Sequence, residues 1–262
     1  MLGKYGELLQ YMRANRSAKV TELSKALFLS EATVRRVLDK LEAEGKLRRF
    51  HGGATLIEDH DDAFIMRRQF SLAKEKQAIG RVASELVRDG MTLLMMGGST
   101  VQALCPFLRG KKLTVITSSI PVASALAWEE HISVIMLGGV LNPAEMEVRG
   151  HLSSMTLEHL RADMMFIGTT GLHPIHGVMT DDPNSVEAYT TCMRVCDEVV
   201  VLADHSKLEQ YMGTTVQCGL DKLDALVVDD GVKPAELNYY RERMRKVYAA
   251  PVNHDGEHSY MS

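Results

Sequence analysis

The sequence predicts an α/β chain in two unlike parts. A small basic module of three short helices and a hairpin comes first, and a larger acidic domain built on a mostly parallel sheet follows. Three observations carry this. The 262 residues hold 30 Lys and Arg against 34 Asp and Glu, net −4. That total is uneven: residues 1–57 hold 11 basic and 6 acidic side chains, net +5, whereas residues 58–262 hold 19 and 28, net −9. Apolar residues recur at helical spacing between capping residues in the first segment, and in continuous runs separated by helical patterns in the second. With 45% hydrophobic and 24% charged residues, a disordered or fibrous chain is excluded.

In the basic segment, Tyr5, Leu8, Leu9 and Met12 mark a first helix, which stops at the polar run Ala14-Asn15-Arg16-Ser17. Thr21 is the expected N-cap of a second helix, with Leu23, Ala26 and Leu27 on one face. Phe28-Leu29 then turns the chain, and Ser30 caps a third helix whose apolar face is Val34, Val37, Leu38 and Leu41. Gly45 falls where a C′ glycine ends a helix. Leu47–Phe50 and Ala54–Ile57 flank His51-Gly52-Gly53, a glycine turn between two strands.

Helix, turn, capped helix and glycine-tipped hairpin is the plan of a winged helix-turn-helix. With its apolar face inward, the third helix presents Glu31, Thr33, Arg35 and Arg36 outward near its start. A recognition helix reads base edges with its first turns, and arginine pairs with guanine O6/N7 through two parallel bonds. Lys46, Arg48 and Arg49 then lie near phosphates, and His51 at the wing tip reaches the minor groove or backbone. Read one at a time, Lys40 and Lys46 are equally well explained as solvated charges.

Beyond a polar link, a helix is expected over about residues 74–88. Six apolar runs then read as strands: Thr92–Met96, Leu113–Ile116, Ser133–Leu137, Met164–Ile167, Val199–Leu202 and Ala225–Val228. Each ends in small or polar residues, among them Gly97-Gly98-Ser99-Thr100, Thr117-Ser118-Ser119, Gly138-Gly139, Gly168-Thr169-Thr170-Gly171 and Asp204-His205-Ser206-Lys207. Open α/β sheets bind ligands at the carboxyl ends of their strands. The loop Gly97–Thr100, before an expected helix from Val101 to Leu108, is therefore a candidate phosphate cradle. Neither a P-loop nor a dinucleotide glycine motif is present.

Cys192 and Cys196, four apart on an expected helix, read as core packing or as half a metal site with nothing to complete it. His173 and His176 lie in a proline-containing loop, solvated or metal-binding. Met95, Met96, Met136, Met164 and Met165 read as core filling. No cofactor or metal site is predicted. Residues 91–108 carry no charge over 18 positions but contain Gly97, Gly98, Ser99, Gln102 and Pro106, so strand, turn and helix fit better than a membrane span. Four cysteines and a first segment without an apolar core predict a reducing, cytoplasmic setting. The expected domains are 1–57, a linker over 58–73, a sensor over 74–250, and a disordered tail over 251–262.

Residues 30–38 (Ser-Glu-Ala-Thr-Val-Arg-Arg-Val-Leu), Leu41–Gly45 and Arg49–Ala54, with the strand-end motifs above, resemble the DeoR family of bacterial transcription regulators over about residues 3–250. The resemblance implies a Rossmann-like sensor related to ribose-5-phosphate isomerase. It implies a repressor of sugar-catabolism genes that binds double-stranded operator DNA, acts as a dimer or tetramer, and is relieved by a phosphorylated sugar. It implies DNA contacts from Ser30, Thr33, Arg35, Arg36, Lys46, Arg49, His51 and Gly52. It also implies effector contacts from Gly97, Gly98, Ser99, Thr100, Thr117, Ser118, Gly139, Thr170, Gly171 and Lys207. The chain departs from the family pattern at Val37, at Met96 where an acid is common, at Ser118 in place of Asn, and at Thr191-Cys192 where a base is common. A sugar-phosphate isomerase with Asp204 or Glu187 as its base is the alternative of a different class.

Overall fold

The computed structural model describes residues 4–15, 17–43, 46–50, 52–56, 68, 70–209 and 213–252. The chain forms two compact units, Met1–Ala73 and Lys74–Ser262.

In the first unit, α1 (Lys4–Asn15) buries Leu8 and Met12, and β1 (Ser17–Lys19) leads into α2 (Val20–Ala26). That helix starts before the expected Thr21 cap. Lys19 holds the cap position, and its N–H donates to the Glu22 carboxylate at 2.8 Å. Phe28, at φ 52° and almost fully exposed, turns the chain. Ser30 Oγ then accepts from the Thr33 N–H at 3.2 Å and starts α3 (Glu31–Ala43), as the capping pattern predicts. The hairpin β2 (Leu47–Phe50) and β3 (Gly53–Leu56) turns through Gly52 at φ +84°, a conformation that favours glycine. The sheet order is β1-β3-β2, antiparallel throughout. The strand β1 falls partly on the run read as a helix stop. Its three residues, Ser17-Ala18-Lys19, are too few and too polar to signal a strand. The expected glycine cap at Gly45 lies outside the described residues.

In the second unit, α4 (Ala73–Ser84) precedes β4 (Thr92–Met95), α5 (Ser99–Gln102), β5 (Leu113–Thr117), α6 (Ile120–Leu126) and β6 (Ile132–Met136). The hairpin β7 (Val140–Asn142) and β8 (Glu147–Arg149), α7 (His151–Leu157) and β9 (Ala162–Gly168) follow. Next come β10 (Gly171–His173), β11 (Gly177–Thr180), α8 (Ser185–Arg194), β12 (Cys196–Ala203) and α9 (Ser206–Glu209). The chain ends with β13 (Thr215–Cys218), β14 (Ala225–Asp229), α10 (Pro234–Arg241) and β15 (Lys246–Ala250). Seven strands form one parallel sheet in the order β15-β14-β12-β9-β4-β5-β6. Side chains alternate between its two apolar layers. Leu93, Met95, Val115 and Phe166 enter one, and Leu94, Ile116, Met165 and Ile167 enter the other. This is why the six runs read as continuously apolar.

Several expectations need correction. The first helix of this unit ends at Ser84 rather than near 88. The expected helix from Val101 to Leu108 is the short α5 plus a 3-10 turn, Cys105–Leu108. Cys192 and Cys196 do not share a helix, because α8 ends at Arg194 and Cys196 opens β12. Burial pushes the Cys196 thiol up to about 12. Met136, read as core, is 39% exposed at the end of the edge strand β6. Two residues of the expected tail are held in place: Val252 is buried and the Pro251 carbonyl accepts from Arg81 at 3.2 Å. Residues 253–262, and most of the expected linker, lie outside the described residues.

Candidate nucleic-acid interface and effector pocket

On α3, Val34, Leu38 and Leu41 are buried while Arg35 and Arg36 are exposed. Arg35 pairs with Glu31 one turn earlier at 3.0 Å, and Thr33 shares a hydroxyl–hydroxyl bond with Ser30 at 2.9 Å. Helix and wing are tied by charge. The Arg49 N–H donates to the Glu42 carboxylate at 2.7 Å, and its guanidinium meets Asp39. A groove of 640 Å³ lies between them, lined by Arg35, Asp39, Glu42, Arg49, Phe50 and Gly52. The structure thus brings Arg35, Arg49 and Gly52 together. Lys46 turns elsewhere, toward α1: its ammonium donates to the Tyr5 hydroxyl at 2.6 Å and lies 5.0 Å from that ring's centre. His51 lies outside the described residues.

In the parallel sheet the strand order reverses at β4: β5 and β6 continue to one side, and β9, β12, β14 and β15 to the other. A crevice opens beyond the carboxyl ends at such a reversal. Gly98 and Gly168 approach one another closely at this reversal, so that a Cβ on either would lie 3.9–4.0 Å from the other's Cα. Ser99 and Thr100 follow on the β4 side, and Thr169, Thr170 and Gly171 on the β9 side. Thr117 does not face the crevice with a free hydroxyl. Fully buried, it donates to the Met95 carbonyl at 2.6 Å and accepts from the Ser119 N–H at 3.0 Å, fixing the turn after β5. Gly139 packs against β8, where a Cβ would meet the Arg149 carbonyl at 2.5 Å. Lys207 sits half-buried one residue into α9.

The least expected occupant of this end of the sheet is Glu147, at the start of β8. It is buried, 5% exposed. One carboxylate oxygen accepts from the Gly97 N–H at 2.5 Å and lies 3.5 Å from the Ser118 hydroxyl. The other lies 3.3 Å from Arg149, whose guanidinium also meets Asp182, beyond β11. Gly97 is glycine because of this approach: a Cβ there would fall 2.1 Å from the carboxylate oxygen. Burial pushes the Glu147 carboxyl above its ordinary range, against the opposing pull of Arg149 and the Gly97 N–H. For Arg149, burial works against its charge, but Glu147 and Asp182 more than offset it and hold it above its usual value. Tyr189 on α8 has its phenol pushed up by burial, with Glu147 adding to the effect. So the acid that Met96 lacks is supplied to the same loop from a strand fifty residues later. Met96 itself is buried, with its sulfur 3.6 Å from the Cys192 thiol.

On the β12 side, Asp204 and Lys76 form a buried pair at 3.9 Å, and Asp204 also accepts from the Ser206 hydroxyl. Asp204 is thus held within a buried ion pair, and Glu187 is exposed on α8. His173 Nδ1 accepts from the Ile175 and His176 N–H groups at 3.1 Å, which gives it a role in shaping its turn. Among the described residues, no group of three His, Cys, Asp or Glu is placed to hold a metal, and no helix is long and apolar enough to cross a membrane.

Sequence reasoning missed Glu147, Arg149, Asp182 and Lys76. The only trace of the first two is the alternation Glu147-Val148-Arg149, which places both charges on one side of a strand.

Two family models divide this chain as its two units do. Residues 5–60 match the DeoR-like helix-turn-helix domain, and residues 71–230 match the DeoR C terminal sensor domain. The chain belongs to the DeoR family. It is 30% identical over 253 residues to the uncharacterized HTH-type transcriptional regulator YulB of Bacillus subtilis (strain 168), covering 95% of this chain and 97% of that one. It is 30% identical over 229 residues to the lactose phosphotransferase system repressor of Staphylococcus aureus (strain N315), covering 85% and 90%. Among solved structures it is similar to ribose 5 phosphate isomerase A from Neisseria gonorrhoeae, at 16% identity and TM-score 0.39, over 59% of this chain and 56% of that one. As a DeoR member the chain is a helix-turn-helix transcriptional regulator, not an enzyme. The isomerase alternative is set aside on that ground.

Proposed function

We propose that this DeoR-family chain is a repressor of carbohydrate-utilisation genes, gated by a phosphorylated sugar bound in the crevice at the β4–β9 reversal. The observation that carries the reading is the pairing, in one chain, of a capped helix exposing Arg35 and Arg36 with a polar strand-end crevice in a sensor-type sheet. A relative named for repression of a lactose phosphotransferase system supports the link to sugar phosphates.

In this reading Arg35 and Arg36 meet base edges, Ser30 and Thr33 meet the backbone near the helix start, and Arg49 and Gly52 hold the wing against the duplex. His51 completes the basic face, while Lys46 is held on the α1 side by Tyr5. The effector meets Gly97–Thr100, Ser118, Gly139, Thr170, Gly171 and Lys207, with Thr117 setting the turn. A homodimer or tetramer in the cytoplasm places two readers about 34 Å apart on one face of the operator. The sugar relieves repression only through unequal affinity for the DNA-competent and incompetent arrangements.

The test is a thermal-shift screen of sugar monophosphates, followed by gel-shift titration of the full chain on the DNA upstream of its gene. One compound is expected to raise the melting temperature and to release the DNA. Intact DNA binding with no compound shifting the melt overturns the sensing half of the reading.

A further inference from the structure

We infer that Glu147 determines which end of the effector enters the niche formed by Gly97 and Ser118: its carboxylate takes a sugar hydroxyl there and shuts an anion out. The assignment rests on the sensing role proposed above.

The Gly97 N–H is a backbone donor at this niche, and Glu147 already accepts from it. A phosphate oxygen seated at Gly97 competes for that donor, so it must displace the carboxylate or lie against it. Displacement is opposed by three anchors: the Gly97 N–H, the Ser118 hydroxyl within 3.5 Å, and Arg149 at 3.3 Å. Lying against it sets two anions together where little water screens them. Nor is Arg149 spare for the newcomer. Its two terminal guanidinium nitrogens already face Glu147 and Asp182.

A hydroxyl meets none of these objections. It donates to a Glu147 oxygen and accepts from Ser118, leaving the carboxylate's bonds to Gly97 and Arg149 in place. The effector is therefore a polyhydroxylated molecule that enters this niche with an uncharged end. Its anionic group is directed to the other side of the crevice, where Thr170, Gly171 and Lys207 follow β9 and β12. Gly97 has a specific part in this: without a Cβ it admits the Glu147 carboxylate, which an alanine would strike at 2.1 Å.

The experiment uses sulfate, a tetrahedral anion whose charge is constant near neutral pH. Isothermal titration of the full chain is run at ionic strength held fixed with chloride. Wild type is expected to show no sulfate-specific binding. Glu147→Gln and Glu147→Ala, each first checked for a cooperative melt, are expected to bind sulfate at least tenfold more tightly than wild type. Adding Arg149→Gln to Glu147→Gln is expected to remove that gain. Equal sulfate binding by wild type and both single variants overturns the assignment. A sugar-monophosphate panel on the same proteins separates the two readings. Sugar phosphates that bind wild type and variants alike, with no sulfate gain, leave sensing intact and sink the role of Glu147. A sulfate gain with no panel member binding wild type supports Glu147 and sinks the sugar-phosphate reading.

Discussion

The two units of this chain put their charge in opposite places. Among the described residues of the first unit no charged side chain is buried; its core is Leu8, Met12, Leu23, Val34, Leu38, Leu41 and Leu47, and Arg35 and Arg36 stand outside. The second unit buries Lys76, Glu147, Asp204 and Asp229, three of them at the carboxyl ends of the sheet or the hairpin beside it. A surface that meets a polyanion needs only exposed cations on a rigid element. A pocket that discriminates one small polar molecule needs charges taken out of water and held by partners, at a cost in desolvation. The difference in placement follows the difference in task.

The sharpest way to break this comparison is to remove the exposed charge from the first unit. Arg35→Ala with Arg36→Ala is expected to weaken operator binding at least about 30-fold, since each of the two base-edge contacts contributes about 1–3 kcal/mol. The second unit's melting temperature should not move. A gel-shift titration with unchanged affinity would show that exposure on α3 is incidental.

Removing buried charge should act in the reverse manner, on stability first. Asp204→Ala takes the carboxylate from Lys76 within a pair that is 6% and 1% exposed. Breaking a buried pair in this way costs about 3–5 kcal/mol. Urea melts followed by a probe in the second unit should show that loss, while a probe in the first unit stays at its wild-type midpoint. Equal loss in both would mean that the units do not melt separately.

Glu147 offers a finer distinction, because its effect is a slope in pH. Its folded-state affinity for a proton is raised, chiefly by burial. A group raised in this way favours the folded state fully below the ordinary carboxylate value of 4.5. That contribution is lost as pH climbs from there through the raised folded value. Wild type should therefore lose stability with rising pH above about 4.5 more steeply than Glu147→Gln, which cannot ionise. Melting temperatures of both proteins in steps from pH 4.5 upward test this, and parallel curves would contradict it.

These charges also mark the boundary of what the amino-acid sequence discloses. The reader was legible because its signals are local: Ser30 caps three residues ahead, and Val34, Leu38 and Leu41 fix the inner face of one helix by spacing alone. The five inner strands were legible because burial on both faces leaves an unbroken apolar run, and the edge strand β6 carries an apolar run as well. The seventh, Lys246-Val247-Tyr248-Ala249-Ala250, is an edge strand with a mixed composition and gave no such run. Glu147 and Arg149 look like any exposed hairpin charges, and what makes them otherwise is a partner at Gly97, fifty positions away. Met96 signalled that a carboxylate was missing from the loop, but not that another strand restores it.

The smallest expected effect sharpens the comparison most directly, because it asks whether the reader depends on local bonds as its legibility implies. Ser30→Ala removes the oxygen that accepts from the Thr33 N–H, and loss of such a cap costs about 1 kcal/mol. Ser30→Asp restores an acceptor, and places negative charge near the positive end of the α3 dipole, so it should recover the first unit's stability. It should still bind operator less well than wild type, because the new carboxylate faces phosphates. Circular-dichroism melts paired with gel shifts read the two quantities separately. If Ser30→Asp restored stability and full affinity together, Ser30 would be a cap alone, and the DNA backbone contact assigned to it would be withdrawn.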